Sequence, residues 1–457
     1  AITFAANDVT LSGTSTVTAS GGAGSKVLIT TSDNTDTIDL GAADSLSDNV
    51  LELSDADLSR ITAETLRIGS TAASTINVSS AIDLVTPATV TNLSLMTDLN
   101  VTQAAGGTIT VNRLAINADT STILNEANNV TTLAALIDDA SQTFSFTDAT
   151  GGISVGTVDG IDGVSTNNGA ITLVSTTGGL TVANTAAAQD VDAGTSTVSL
   201  QALGLNQLLT VTGAVTGTGG TTYIADNMTL TGLTTATSAT AVLRQNTSTT
   251  TLIHLGAGAD AGGQLALTSA ELNTINVADG ILRIGDSNSG AMDIAAAIAP
   301  TGVTTGILHL ESGAGITQGG GFTITETNLA IEAVGAVVLT EANDVTNLVG
   351  AVSGSGNAFS FTDTNGLTVS GTTLDGVGPG ISTTGTGAIT INSGGMLTVN
   401  GLISSGSGAL SLVGATGVTH AANGDLTTTG AGTIGVTATA NNITMVDGTV
   451  FSTGTGQ

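Results

Sequence analysis

Whole phrases from the first half of this chain return, residue for residue in places, about 215 positions later. Phe144-Ser145-Phe146-Thr147-Asp148 comes back as Phe359-Ser360-Phe361-Thr362-Asp363, and Glu126-Ala127-Asn128 as Glu341-Ala342-Asn343 at the same offset. Nearer the start, Leu66-Arg67-Ile68-Gly69 is echoed by Leu282-Arg283-Ile284-Gly285, and Ile38-Asp39-Leu40-Gly41-Ala42 by Ile253-His254-Leu255-Gly256-Ala257. Residues 1–218 therefore read as one copy and 219–437 as a second. Thr439-Ala440-Asn441-Asn442-Ile443-Thr444-Met445 echoes Ala5-Ala6-Asn7-Asp8-Val9-Thr10-Leu11, so 438–457 reads as the start of a third copy or as an overhang for end-to-end contact. Long tandem units point to an extended scaffold, in which stacking neighbours bury a shared core.

Each copy is a string of short phrases such as Val27-Leu28-Ile29, Ile76-Asn77-Val78, Thr108-Ile109-Thr110-Val111, Ile171-Thr172-Leu173 and Val198-Ser199-Leu200. Apolar residues alternate with Thr, Ser or Asn, and Gly, Asn or Asp bound each run, which is the pattern of half-buried strands. Two-residue hairpin signals between matched strands are scarce, so a meander or sandwich fits poorly. A β-solenoid fits better: each coil contributes two or three short strands, the next coil stacks in parallel, and a narrow interior column suits Ala, Val, Ile and Leu. The expected fold is thus all-β, a parallel β-helix built from two tandem copies, with coils of about twenty to twenty-seven residues spaced about 4.8 Å apart. Only three prolines occur, as a ladder that needs its N–H groups requires.

Helical interruptions are predicted at Ser54-Asp55-Ala56-Asp57 and Thr268-Ser269-Ala270-Glu271, equivalent places where a capping box opens one or two turns and Leu58 with Ile61, or Leu272 with Ile275, face inward. Residues 130–137 and 345–352 carry apolar side chains three and four apart and read as short lids or corner helices.

Composition excludes several functions. Six cationic residues against 36 acidic ones give a formal charge of −30. Nucleic acid is excluded as a partner, because phosphate recognition needs a cationic stripe. An anionic membrane surface is disfavoured, and the field attracts divalent cations. No run approaches the eighteen apolar residues of a membrane span, so no membrane insertion is expected. Hydrophobic residues make up 40% of the chain, enough for burial to offset ordering entropy and to argue against disorder. Cysteine is absent, which fits an exported bacterial protein. With no initiator Met and no leader-like start, the chain reads as a mature product or a window cut from something longer.

Leu53-Ser54-Asp55-Ala56-Asp57-Leu58-Ser59-Arg60-Ile61-Thr62-Ala63, followed by Leu66-Arg67-Ile68-Gly69, resembles a phrase recurring in very large bacterial filamentous-haemagglutinin-like proteins. So does the stretch from Ala127-Asn128-Asn129-Val130 through Phe144-Ser145-Phe146-Thr147-Asp148, Val155-Gly156-Thr157-Val158-Asp159-Gly160-Ile161 and Gly169-Ala170-Ile171-Thr172-Leu173. The resemblance covers about half of each copy. It implies a right-handed parallel β-helix, partner-assisted secretion across the outer membrane, and a role as an adhesin or extracellular fibre. No N-terminal secretion module is visible, so the export route is implied by resemblance alone.

Candidate chemistry is sparse. His254 is matched by Asp39 and His309 by Ser94, so the repeat holds neither histidine, and both are expected on the surface. His420 has no acidic pattern near it. No zinc spacing, phosphate-cradling loop or nucleophile elbow occurs in its required context. Asp33, Asp36, Asp39, Asp44 and Asp48 are the weak calcium candidates, as turn carboxylates on successive coils, with solvated turns the alternative. The Asp138-Asp139 pair becomes Ser353-Gly354 in the second copy; it offers further turn carboxylates or, as a lesser alternative, the acids of a polysaccharide-cleaving enzyme. Phe144 with Phe146, and Phe359 with Phe361, share one strand face and are expected in the core, with a carbohydrate platform the alternative. Arg67 and Arg283 lie between inward residues and so point outward, toward a carboxylate on an adjacent coil or neighbouring subunit.

These readings converge on a non-enzymatic, extracellular or cell-surface structural repeat protein of bacterial type. It would form a filament, sheath or adhesin stalk, with itself as partner. A glycan- or surface-binding adhesin module is the alternative.

Overall fold

Alternating apolar side chains place themselves in register one coil after another, and the rows they form are the core. The computed structural model describes residues 1–20, 22, 24–43, 49–86, 89–184, 190–246, 252–258 and 264–454. The chain packs as two compact units, one of Ala1–Ala225 with Thr229–Thr235, the other of Asp226–Met228 with Ala236–Gln457. Each is a parallel β-helix. Among the described pairings, all are parallel apart from two small hairpins.

In the first unit Val27 pairs with Leu66, Leu66 with Leu93, Leu93 with Leu114 and Leu114 with Leu133, all buried. A second face stacks Phe144 on Ile171 and Val198, and Phe146 on Leu173 and Leu200. In the second unit Leu282, Leu308, Leu329 and Leu348 form one row, while Phe359, Ile389 and Leu410 form another. Parallel in-register pairing puts like side chains over like, so each added coil buries the apolar row of the one beneath. Each fully buried Leu, Ile or Phe contributes about 1.5–3 kcal/mol.

The most faithfully repeated words turn one corner of the helix. The strands Thr122–Ala140 and Val337–Val352 bulge there, with register shifts between Leu124 and Asn128 and between Leu339 and Asn343. Buried Asn128 fills the bulge: its Nδ2 donates to the carbonyls of Leu124 (3.0 Å), Glu126 (3.1 Å) and Thr147 (3.1 Å), while its Oδ1 accepts from Ile109 N (2.9 Å) and Gln103 Nε2 (2.6 Å). Asn343 repeats every bond with Leu339, Glu341, Thr362, Ile324 and Gln318. Buried Asp148 and Asp363 accept the N–H of Val130 and Val345. The Glu-Ala-Asn and Phe-Ser-Phe-Thr-Asp phrases thus supply the side chains that satisfy a corner backbone left without ladder partners.

Both capping boxes form. Ser54 caps Asp55–Leu58 with Asp57 reciprocating, and Thr268 caps Ser269–Leu272 with Glu271 reciprocating. Leu58, Ile61, Leu272 and Ile275 are buried. Residues 130–137 and 345–352 are strand, not corner helix. Their helix-like apolar spacing has another cause: Leu133, Ala134 and Ala135 are buried in succession because something covers the outer face of the sheet as well as the inner.

In the second unit the last coil, with strands Ile434–Ala438, Ile443–Met445 and Phe451–Ser452, stacks in parallel on the coil before it. Its apolar residues Ile443, Met445, Val450 and Phe451 are exposed.

Candidate functional site

What covers the outer face in each unit is a hairpin arm. Val158-Asp159-Gly160-Ile161 and Leu374-Asp375-Gly376-Val377 each place Asp-Gly between apolar residues, the composition of a two-residue hairpin turn with both φ angles positive. Asp159 and Gly160 have φ of 49° and 85°, Asp375 and Gly376 of 48° and 84°. Val158 pairs with Ile161, and Leu374 with Val377, antiparallel in each case. The arms lie on small outward residues: Val158 on Ala115 and Ala134, Leu374 and Val377 on Ala330 and Val349.

The turn aspartate of each arm is gripped from the sheet. In the first unit Asp159 accepts from Lys26 Nζ at 2.5 Å and from Arg67 Nε and Nη2 at 3.0 and 2.6 Å. Ser94, the register neighbour of Arg67, adds a hydroxyl bond. Arg113 also donates to the carbonyl of Thr157 in the arm. In the second unit Arg283 meets Asp375 in a two-pronged pair, Nε to Oδ2 at 2.9 Å and Nη2 to Oδ1 at 2.7 Å. His309, the register neighbour of Arg283, replaces Ser94 and places Nδ1 2.6 Å from Asp375 Oδ2.

The two clasps differ in what surrounds them. Beside the first lies a cleft lined by Arg67, Ser94, Met96, Asn117, Asp159 and Gly160. At the positions of Met96 and Asn117 the second unit carries Glu311 and Glu332, which face each other across adjacent strands. Glu332 Oε2 stands 3.6 Å from His309 Nε2. Among the described residues, His309, Glu311 and Glu332 are the group of acids and histidines whose donor atoms converge, all within 4.8 Å of one another.

Burial raises the Asp159 carboxyl, but its bonds to Lys26, Arg67 and Ser94 and the Arg67 charge outweigh this and hold it below the usual range. Glu311 goes the other way, raised by burial and by the charges of Glu332 and Asp286 against the opposing pull of His309 and Arg283.

Arg67 and Arg283 do point outward, and each takes its carboxylate from a hairpin 92 residues on rather than from an adjacent coil or another subunit. The Asp-Gly pairs, flanked by apolar residues and repeated, were the signal for these arms. His309 is buried under its arm, not on the surface, because the hairpin covers an otherwise outward position. His420 is buried too, its Nδ1 2.8 Å from Gly424 O and its ring edge-on to Phe451, and burial lowers its pKa. His254 remains half-buried near Asp293.

Phe144, Phe146, Phe359 and Phe361 are buried in the core rows. Asp33, Asp36 and Asp39 are not brought together as a donor set. Asp33 caps its own turn through Thr35, Asp36 is buried, and Asp39 binds Asn77 and Ser79. Asp44 and Asp48 lie outside the described residues. Asp138 and Asp139 are exposed beside Asp119, whose carboxyl is raised by burial, by a hydrogen bond with Asp98 and by the charges of Asp139 and Asp138. No helix among the described residues is long and apolar enough to cross a membrane.

Comparison with protein families, curated proteins and solved structures finds no match to this chain. What the chain itself displays is a parallel β-helical architecture.

Proposed function

We propose that this chain is a non-enzymatic structural repeat protein of the bacterial cell exterior, akin to filamentous-haemagglutinin-like proteins, whose coils stack end to end into a filament, sheath or adhesin stalk. The observation that carries the reading is the in-register apolar row that each coil presents to the next. Ile443, Met445 and Phe451 continue the rows of Val418, His420 and Leu426, yet stand 45%, 46% and 36% exposed. An apolar row with an open ladder is a template for one more coil. A further coil, of the continuing chain or of another copy, would cover that row as each coil within the chain covers the one beneath. Stacking of this kind joins the two different faces of a coil and therefore propagates without closing. The charge of −30 keeps the sides of neighbouring fibres apart while the ends meet through apolar contact.

Electron microscopy and sedimentation of the chain, beside the double variant Ile443→Asp, Phe451→Asp, test this. The parent should form end-to-end particles whose length grows with concentration, and the variant should stay dispersed. A parent that stays monomeric, or a variant that assembles equally well, would overturn it.

A further inference from the structure

The second clasp carries more than a structural pair needs. Asp375 is already matched by Arg283, so one negative and one positive charge are accounted for. That leaves Glu311 and Glu332, two carboxylates, beside a histidine that is 1% exposed. His309 Nδ1 lies 2.6 Å from Asp375 Oδ2, so in the tautomer a metal ion would select Nδ1 donates to Asp375 and Nε2 offers its lone pair. Nothing donates to that buried nitrogen. Its neighbour Glu332 Oε2, at 3.6 Å, is too far for a hydrogen bond. It is close to the separation of about 3.4 Å between two ligands bound tetrahedrally at about 2.1 Å to one zinc ion.

We propose that His309 Nε2, Glu311 and Glu332 form a binding site for a divalent transition metal of the zinc type, with Asp375 as the carboxylate that fixes the histidine tautomer. The three donors come from two adjacent strands. His309 and Glu311 are two apart on one strand and so share its outer face, and Glu332 sits opposite Glu311 on the next. A carboxylate on the far nitrogen of a metal-binding histidine both orients the ring and raises its basicity. Arg283 in turn holds Asp375, so the hairpin arm sets the ligand geometry. A cleft lined by Ser287, Glu311, Glu332 and Ser353 opens both carboxylates to solvent. An imidazole donor with two carboxylates disfavours calcium, which takes six to eight oxygens. The first unit supplies an internal control, because Ser94, Met96 and Asn117 stand at the three ligand positions.

Titration of the full chain with Zn²⁺, followed calorimetrically and by the visible absorption of Co²⁺ in the same site, tests the assignment. One equivalent should bind, not two. His309→Ser, which installs the residue of the first unit, should weaken binding by about tenfold or more. Glu332→Gln should do the same, and because that side chain is 43% exposed its loss leaves the fold alone. An equal concentration of Ca²⁺ should not displace Zn²⁺. Absence of Zn²⁺ binding by the parent, binding that survives either substitution undiminished, or displacement by Ca²⁺ would overturn the proposal.

Discussion

Glu326 stands in the second unit where Val111 stands in the first. Each is two residues beyond the isoleucine whose N–H donates to the corner asparagine, and each pairs with the valine that opens the next strand stretch. Val111 is 1% exposed and Glu326 7%, so a carboxyl occupies a place built for an aliphatic side chain. Its Oε1 has no hydrogen-bond partner, and burial pushes its pKa up to about 8, only partly opposed by the Thr327 N–H.

Because the folded-state pKa of Glu326 lies above its unfolded value, its contribution to stability is fully present below about pH 4.5 and is lost as pH rises through about 8. Glu326→Val should therefore stabilise the second unit by about 1–3 kcal/mol at pH 7. It should also flatten the fall in urea midpoint between pH 5 and pH 8. A variant with the parent's slope would show that this carboxyl is solvated.

Asn128→Ala and Asn343→Ala should each cost at least about 3 kcal/mol, since each strands several buried backbone groups at a corner. Hydrogen exchange should quicken first at Ile109 in one variant and at Ile324 in the other. Asn→Asp is no rescue, because the carboxylate cannot donate to the three carbonyls.

Asp159→Asn should loosen the first hairpin arm without unfolding its unit, because the grip is local and the rows of the core are untouched. Limited proteolysis between residues 156 and 163 reads this directly. In the parent the same loosening should follow acidification: the Asp159 carboxyl is held below its unfolded value, so its contribution is present above about pH 3.8 and is lost as pH falls through the lower folded value. Cleavage of the arm that does not change with either the substitution or acid would contradict the clasp.

Gly350→Ala should destabilise the second unit by about 1–3 kcal/mol even though the first unit has Ala135 at the equivalent place. A Cβ on Gly350 would meet Cε2 of the Phe359 ring at 2.4 Å. Phe359→Leu should relieve the clash, so the double variant should lose less than the two single losses combined. Strict additivity in thermal denaturation would show that the ring moves aside.

How far the sequence by itself reaches can be read from particular residues. Alternation in phrases such as Ile171-Thr172-Leu173 determines strands with one buried face, and the sparse turn signals select coils over sandwiches, because both are local consequences of side-chain periodicity. Ser54 and Thr268 determine their helix starts for the same reason: a cap is satisfied within three residues. The Phe pairs are legible as core because two positions apart means one face.

Tertiary structure alone decided the rest. Whether 130–137 and 345–352 are helix or strand depended on the hairpin arms, which bury Ala134 and Val349 from outside and so break the two-residue rhythm. His309 is an outward residue by its place in the strand and a buried one by its partner 66 residues on, and the histidine's environment belongs to that partner. Local periodicity assigns a side chain to a face of the sheet. What lies against that face is set by chain returning from far along the sequence, and no short phrase records it.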